Sequence, residues 1–314
     1  MLDKPPTGEF GLIAWIRSQA AAHGRTVVGI GDDCAVLRPA ADRELLVTTD
    51  MLMDGRHFRL ERDGAEAVGA KALGVNLSDI AAMGGQPFAA VVAVALPRAS
   101  AVATAQQLLT GMRLLADRFG VDLVGGDTNA WDGPLVVSIT VLGEALPPGP
   151  ILRSGARAGD VVAVTGPLGG SLLGRHLRPE PRIAEAQALI GAVPVHALID
   201  ISDGLASDLG HILEESGGLG AVLDAGQVPV HADALVMSRS DGRSPLDHAL
   251  NDGEDFELCV VLAENDFQRA QQVLPGVRRV GTIVEEAGLW LRDGAGTLLA
   301  LQARGFDHLQ TEAA

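Results

Sequence analysis

Val121-Asp122-Leu123-Val124-Gly125-Gly126-Asp127-Thr128 is a mostly apolar run that closes on Gly-Gly-Asp. Four residues suffice for a buried strand, and paired glycines mark a turn, so the pattern predicts an acid at the end of a strand. Upstream, residues 101–119 place Ala and Leu at helical spacing, and downstream residues 135–142 return to β-branched alternation. Working outward, strands are expected at 26–30, 45–49 and 89–96 and a helix at 64–83. The pattern breaks at Pro147-Pro148-Gly149-Pro150 and then resumes. Strands follow at 161–165, 197–201, 220–223, 256–262 and 278–283, with helices at 169–177, 182–191, 205–216 and 264–273. Such alternation predicts α/β and α+β layers, divided at the Pro/Gly cluster into domains 1–147 and 148–314.

Composition narrows the function. The chain of 314 residues carries 24 basic and 40 acidic side chains, a formal charge of −16, which argues against a nucleic-acid or anionic-membrane partner. Aromatics are 3% with no Tyr, so stacking platforms for bases are scarce and the core is aliphatic. Two cysteines, Cys34 and Cys259, make neither a disulfide framework nor a Cys-rich zinc site, as expected of a reducing cytoplasm. The longest weakly polar stretch, 81–97, is interrupted by Gly84-Gly85-Gln86-Pro87, and the N-terminus lacks the basic-then-apolar order of a secretory signal. A soluble cytoplasmic protein is the expectation.

The acids carry the chemical information. They recur in Gly31-Asp32-Asp33, Thr48-Thr49-Asp50, Gly125-Gly126-Asp127, Asp200-Ile201-Ser202-Asp203-Gly204 and Gly253-Glu254-Asp255, beside strands or in glycine turns. Sheets of this class build their sites at strand ends. Clustered carboxylates repel unless cations or raised pKa values compensate, and an oxygen-rich set without paired Cys or His suits Mg²⁺ better than zinc. Through Mg²⁺, an acidic protein can hold ATP. Common nucleotide motifs are absent: Gly29-Ile30-Gly31-Asp32-Asp33-Cys34 fails the dinucleotide pattern at its last position, and Thr165-Gly166-Pro167-Leu168-Gly169-Gly170-Ser171 lacks a P-loop Lys. An EF-hand starting at Asp200 would need an acid where His211 stands. Any single Gly-Asp turn also reads as plain turn chemistry.

Other residues keep two readings. Asp79 shares a helical face with Lys71 and Val75, either as an ion pair or cap or as part of the acid set. His57 is either structural or a holder of an anionic group; Arg153, past the Pro/Gly hinge, is either solvated or a phosphate contact. Phe306 either packs in the core or stacks on a flat ring.

Taken in order, the segments resemble one family. They are Gly8-Glu9-Phe10, Gly29-Ile30-Gly31-Asp32-Asp33-Cys34-Ala35, Thr48-Thr49-Asp50, Gly55-Arg56-His57-Phe58, Lys71-Ala72-Leu73 and Asn76-Leu77-Ser78-Asp79 through Ala81-Ala82-Met83-Gly84. Gly125-Gly126-Asp127-Thr128, Arg153-Ser154-Gly155-Ala156, Asp200-Ile201-Ser202-Asp203-Gly204-Leu205, Gly253-Glu254-Asp255-Phe256-Glu257-Leu258 and Gly305-Phe306-Asp307-His308 continue the series over nearly the whole chain. Together they resemble the thiamine-monophosphate kinase family of the aminoimidazole-ribonucleotide-synthetase-like superfamily. Gly-Gly-Asp recurs across the superfamily, whereas the His-Phe and Gly-Glu-Asp-aromatic-Glu-Leu segments discriminate.

The resemblance implies a two-domain aminoimidazole-ribonucleotide-synthetase-like fold, an N-terminal α/β dimerisation domain that holds ATP and metal and a C-terminal α+β domain, with the site between them. It implies ATP-dependent phosphorylation of thiamine monophosphate to thiamine diphosphate by a homodimer using several Mg²⁺ ions. By position, Asp33, Thr48, Thr49, Asp50, Asp79, Asp127, Asp200 and Asp203 match the metal set. Gly126, Asp127, Arg153 and Ser202 match the ATP contacts, and His57, Glu254 and Phe306 match the thiamine-phosphate contacts. The chain departs from the family at Met53-Asp54-Gly55-Arg56 and by carrying Phe256 and Phe306 where Tyr or Trp is common. An acceptor that is already an ionised phosphate oxygen needs no general base, so direct in-line transfer is expected with no catalytic acid, base or nucleophile. Two alternatives stand beside this: the same fold phosphorylating an amide oxygen or selenide, and a nucleotide-binding regulator without turnover.

Overall fold

The computed structural model describes residues 8–20, 24–30 and 34–302. In chain order the elements are α1 (Gly8–Gln19), β1 (Thr26–Val28), β2 (Val36–Leu37), β3 (Leu45–Met53), α2 (Leu60–Asp63), α3 (Ala65–Ala82), β4 (Gly85–Pro97), α4 (Ala101–Phe119), β5 (Asp122–Trp131) and β6 (Val136–Ala145). There follow β7 (Val161–Val164), α5 (Ile183–Ile190), β8 (Val195–Asp200), α6 (Leu205–Glu215), β9 (Gly220–Asp224), α7 (Ala232–Asp241), α8 (Pro245–Asn251), β10 (Leu258–Leu262), α9 (Glu264–Val273), β11 (Arg278–Val284), β12 (Gly288–Arg292) and β13 (Leu298–Ala300). The chain forms two units. One comprises Met1–Ile80, Gly85–Gly149 and Leu177–Pro179, the other Ala81–Gly84, Pro150–His176 and Glu180–Ala314.

In the first unit β3 to β6 form a four-stranded sheet of order β3-β6-β4-β5, in which only β4 and β5 run parallel, and β1 and β2 pair separately as a two-stranded antiparallel ribbon. Period-two alternation on β3 buries Leu46 and Leu52 and exposes Leu45, Val47, Met51 and Met53. Helices α3 and α4 cross backbone to backbone: a Cβ on Gly69 would lie 2.1 Å from the Leu108 carbonyl oxygen, and one on Gly111 1.8 Å from that of Glu66. Any side chain there would force the helices apart.

The second unit carries a seven-stranded sheet of order β13-β12-β9-β11-β7-β10-β8 among the described residues. β10 is buried throughout and paired on both sides, which its Leu-Cys-Val-Val-Leu sequence suits. On one face Val162, Ile199 and Val261 join Leu205, Leu209 and Ile212 of α6 in a single core; on the other, Val161 and Ala163 meet Phe267 of α9. These mixed layers match the expected α/β and α+β class. No described helix is long and apolar enough to cross a membrane.

Several sequence expectations need correction. The Gly-Gly-Asp-Thr stretch is not a turn: β5 runs through it to Trp131, because pairing with β4 continues to Pro97. Gly126 is needed there for close approach, since a Cβ would sit 1.9 Å from the Val92 carbonyl oxygen. Likewise β3 extends past Thr49 to Met53, so Asp50 lies inside a strand. Residues 169–177 form no α-helix but two 3-10 turns, Ser171–Leu173 and Arg175–Leu177. Gly169 (φ 89°) and Gly170 (φ 74°) are left-handed and break the helical pattern. β10 starts only at Leu258, because Phe256 has φ 54°.

Candidate active site

In the first unit, alternation along β3 sends Thr48 and Asp50 to one face of the sheet and Thr49 to the other. The Thr48 hydroxyl donates to the Asp79 carboxylate on α3. Burial, and then the neighbouring Asp79 charge, push the Asp50 carboxyl up to about 6. Thr49 donates instead to the Ile139 carbonyl at 3.1 Å and accepts from the Thr140 hydroxyl at 3.0 Å, across the β3–β6 ladder. The sequence triplet is therefore split by the pleat.

Asp127 lies on β5, at the opposite edge of the sheet from β3. Three strand spacings separate their backbones by about 14 Å. The register puts Asp50 in a row with Ile139, Val92 and Gly126, and Asp127 in the adjacent row with Met51, Ser138 and Ala93. Asp127 is exposed and accepts from the Asn129 amide at 2.9 Å. Gly126 and Asp127 also line a cavity of about 600 Å³ whose walls include Val92, Leu108, Met112 and Val124. Sequence reading missed this chamber, because its walls are ordinary helix and strand aliphatics drawn from distant segments.

His57 lies in the turn after β3. Its Nδ1 accepts the Met53 N–H at 3.0 Å, which leaves the ring proton on Nε2 in the neutral form. The ammonium of the fully buried Lys71 donates to the His57 carbonyl at 2.8 Å, tying the turn to α3.

In the second unit, Asp200 closes β8, and Ser202 and Asp203 follow in the turn leading to α6. Asp208, which the sequence reading did not single out, reaches back from the first turn of that helix to accept the Asp203 N–H at 3.1 Å. Burial, then Asp200, then Asp203 push its carboxyl up to about 8. Ligand-type atoms of Asp203, Asp208 and His211 lie within 4.8 Å of one another. The detectable signal was an acid one helical turn inside a cap-like Ser-Asp-Gly. Arg153 is exposed. Asp33 and Phe306 lie outside the described residues.

Carboxylates gathered with hydroxyls, and pushed above the usual acid range by burial and by one another, fit a hard divalent cation. Asp50, beside Asp79, and Asp208, beside Asp200 and Asp203, are such carboxylates.

Glu254 belongs to a loop with unusual backbone. Glu254 (φ 52°) and Phe256 (φ 54°) are both left-handed, which costs a non-glycine residue about 1 kcal/mol each. Two hydrogen bonds hold the loop to the turn after β8: Glu254 N–H to the Ser202 carbonyl at 2.7 Å and Phe256 N–H to the Ile201 carbonyl at 2.9 Å. On the other side the Gly169 and Gly170 N–H groups donate to Asp255 (2.9 Å) and Asp252 (3.0 Å), and the Ser171 hydroxyl donates to the Gly253 carbonyl at 2.7 Å. The glycine-rich segment therefore spends these two amides on the protein's own carboxylates. Asp252 also pairs with Arg243 (2.8 Å), Asp255 with Arg175 (3.0 Å) and Glu257 with Arg182. Burial pushes Asp255 up to about 7, against the pull of Arg175 and the Gly169 N–H.

Residues 31–145 match the AIR synthase related protein N-terminal domain and residues 157–293 its C-terminal domain. A thiamine-monophosphate kinase of Rhodopirellula baltica is 41% identical over 315 residues, covering 98% of this chain and 99% of its own. The crystal structure of thiamine-monophosphate kinase from Stenotrophomonas maltophilia superposes with a TM-score of 0.79 at 34% identity, covering 90% of this chain and 96% of that one. A structure of AaThiL complexed with AMPPCP and TMP gives 0.76 at 29% identity, covering 98% and 99%.

Proposed function

The chain belongs to the thiamine-monophosphate kinase family of AIR synthase related enzymes, and on that premise we propose that it phosphorylates thiamine monophosphate to thiamine diphosphate with ATP and Mg²⁺. Transfer is direct and in line, without a phosphoenzyme. The observation that carries the reading is the Asp50–Asp79 pair, two carboxylates set side by side with Asp50 raised to about 6. Asp33, Thr48, Asp50, Asp79, Asp127, Asp200 and Asp203 would hold Mg²⁺; the Thr49 hydroxyl, turned to Ile139 and Thr140 on the other face, would not. When bound, the metal supplies charge neutralisation for the phosphates.

The chain's own residues bind and orient. Gly126, Asp127, Arg153 and Ser202 take ATP, with the exposed Arg153 offering its guanidinium to a phosphate oxygen. The aliphatic chamber reached from Gly126 and Asp127 suits the faces of a nucleobase, which aliphatic walls contact as well as aromatic ones do. His57 offers its Nε2 proton to the acceptor's phosphate, and the Glu254 carboxylate complements the amine and cationic ring of thiamine, with Phe306 packing on that ring. The acceptor oxygen is already ionised, so positioning does the work.

Residues 1–147 would serve ATP, metal and dimerisation and 148–314 complete the enzyme, a cytoplasmic homodimer. The exposed Leu45, Val47, Met51 and Met53 row of β3 supports a second copy as its cover. The test is product analysis with ATP, Mg²⁺ and thiamine monophosphate. Equal amounts of thiamine diphosphate and ADP are expected; ADP formed only with another acceptor, or nucleotide binding without ADP, would overturn the reading.

A further inference from the structure

We propose that Asp255 is a positioning residue for recognition of the phosphate acceptor, acting through the backbone of Glu254; this rests on the reading of Glu254 given above. The Asp255 side chain has no solvent exposure, so it cannot touch a substrate. It stands between the two left-handed residues Glu254 and Phe256, a conformation that persists only where the surroundings over-determine it. Both of its oxygens lie 2.9–3.0 Å from the Gly169 nitrogen, and Arg175 Nη2 donates to one of them at 3.0 Å. The same Arg175 nitrogen donates to the Gly169 carbonyl at 2.9 Å. Arg175, Gly169 and Asp255 thus close a ring on one side of the loop, and the Glu254 N–H to Ser202 carbonyl bond closes the other.

With the ring intact, the left-handed turn has one direction in which to present the Glu254 carboxylate. Without the Asp255 charge, one of the two oxygens facing the Gly169 amide and Arg175 becomes an NH₂ donor and Arg175 loses this counterion, and the turn relaxes toward right-handed backbone. The cost falls on the acceptor rather than on the nucleotide.

The experiment compares Asp255→Asn with the parent, as full-length proteins, by steady-state kinetics, AMPPCP binding and thermal unfolding. The KM for thiamine monophosphate should rise at least tenfold, with AMPPCP affinity and the KM for ATP within twofold of the parent. An unchanged acceptor KM in a folded variant, or parallel loss of both substrates, would overturn the proposal. Arg175→Lys provides a milder break of the ring in case Asp255→Asn does not fold; a rise of about threefold in the same KM is expected, and no rise counts against the proposal. In the double variant with Glu254→Gln, Asp255→Asn should add less than twofold, whereas full additivity would assign Asp255 a purely structural role. Glu254→Gln with an unchanged acceptor KM, or a parent that forms no thiamine diphosphate, would instead remove the recognition reading on which the proposal stands.

Discussion

Acids of the loop 252–257 and acids of the Asp50–Asp79 and Asp200–Asp208 groups are built differently. In the loop, Asp252, Asp255 and Glu257 each face an arginine and a hydrogen-bond donor supplied by the fold. Asp50 faces Asp79, and Asp208 faces Asp200 and Asp203, so like charge meets like. Carboxylates that serve the fold arrive with their own cation, whereas carboxylates kept for a ligand are held together at a cost to the fold.

Four tests press on that contrast. The largest effect is expected from Asp50→Asn: kcat falls at least about 100-fold, yet the unfolding midpoint in metal-free buffer at pH 8 is no lower than the parent's. A fall in both would place Asp50 with the structural acids. Next, Glu257→Gln should behave oppositely, losing about 2 kcal/mol in urea unfolding because Arg182 loses its buried counterion and keeps only the half-buried Glu185, discounted for the partial exposure of Arg182. Its acceptor and ATP KM values at 20–25 °C should stay close to the parent's.

A third effect is in pH. Asp50 and Asp208 keep their protons in the folded chain to about 6 and about 8, above the ordinary value near 4. Their contribution to stability is therefore complete below pH 4 and lost as pH rises to 8. Differential scanning fluorimetry of the metal-free protein should show a midpoint that drops between pH 6 and 8. Asp208→Asn should flatten that slope, and millimolar Mg²⁺ should offset it. The smallest effect separates neighbours on β3: Thr49→Val, on the Thr140 face, should change kcat less than threefold, while Thr48→Val, which frees Asp79 of a donor, should change it more.

Much of the frame was legible because its signals are local. The helix at 101–119 and the one at 264–273 carry their own periodicity and are found with those limits as α4 and α9. Local chemistry misled where a tertiary partner decided the backbone. Gly125-Gly126 reads as a turn, but parallel pairing to β4 keeps it in a strand. Gly169-Gly170 reads as a helix start, but Asp252 and Asp255, more than 80 residues on, hold its amides in a left-handed bend. Helix α8 was missed despite a local sign, Ser244 capping Asp247 N–H with Pro245 in the first turn. Candidate site residues were legible as types at motif positions. Their grouping was not, because strand register, and not sequence, separates Thr49 from Thr48 and Asp127 from Asp50.

The single hydrogen bond from Glu254 N–H to the Ser202 carbonyl joins a residue read as facing the acceptor to one read as facing the donor. Were the two residues to hold those ligands, any tightening of one by the other across this bond would be returned by the same factor.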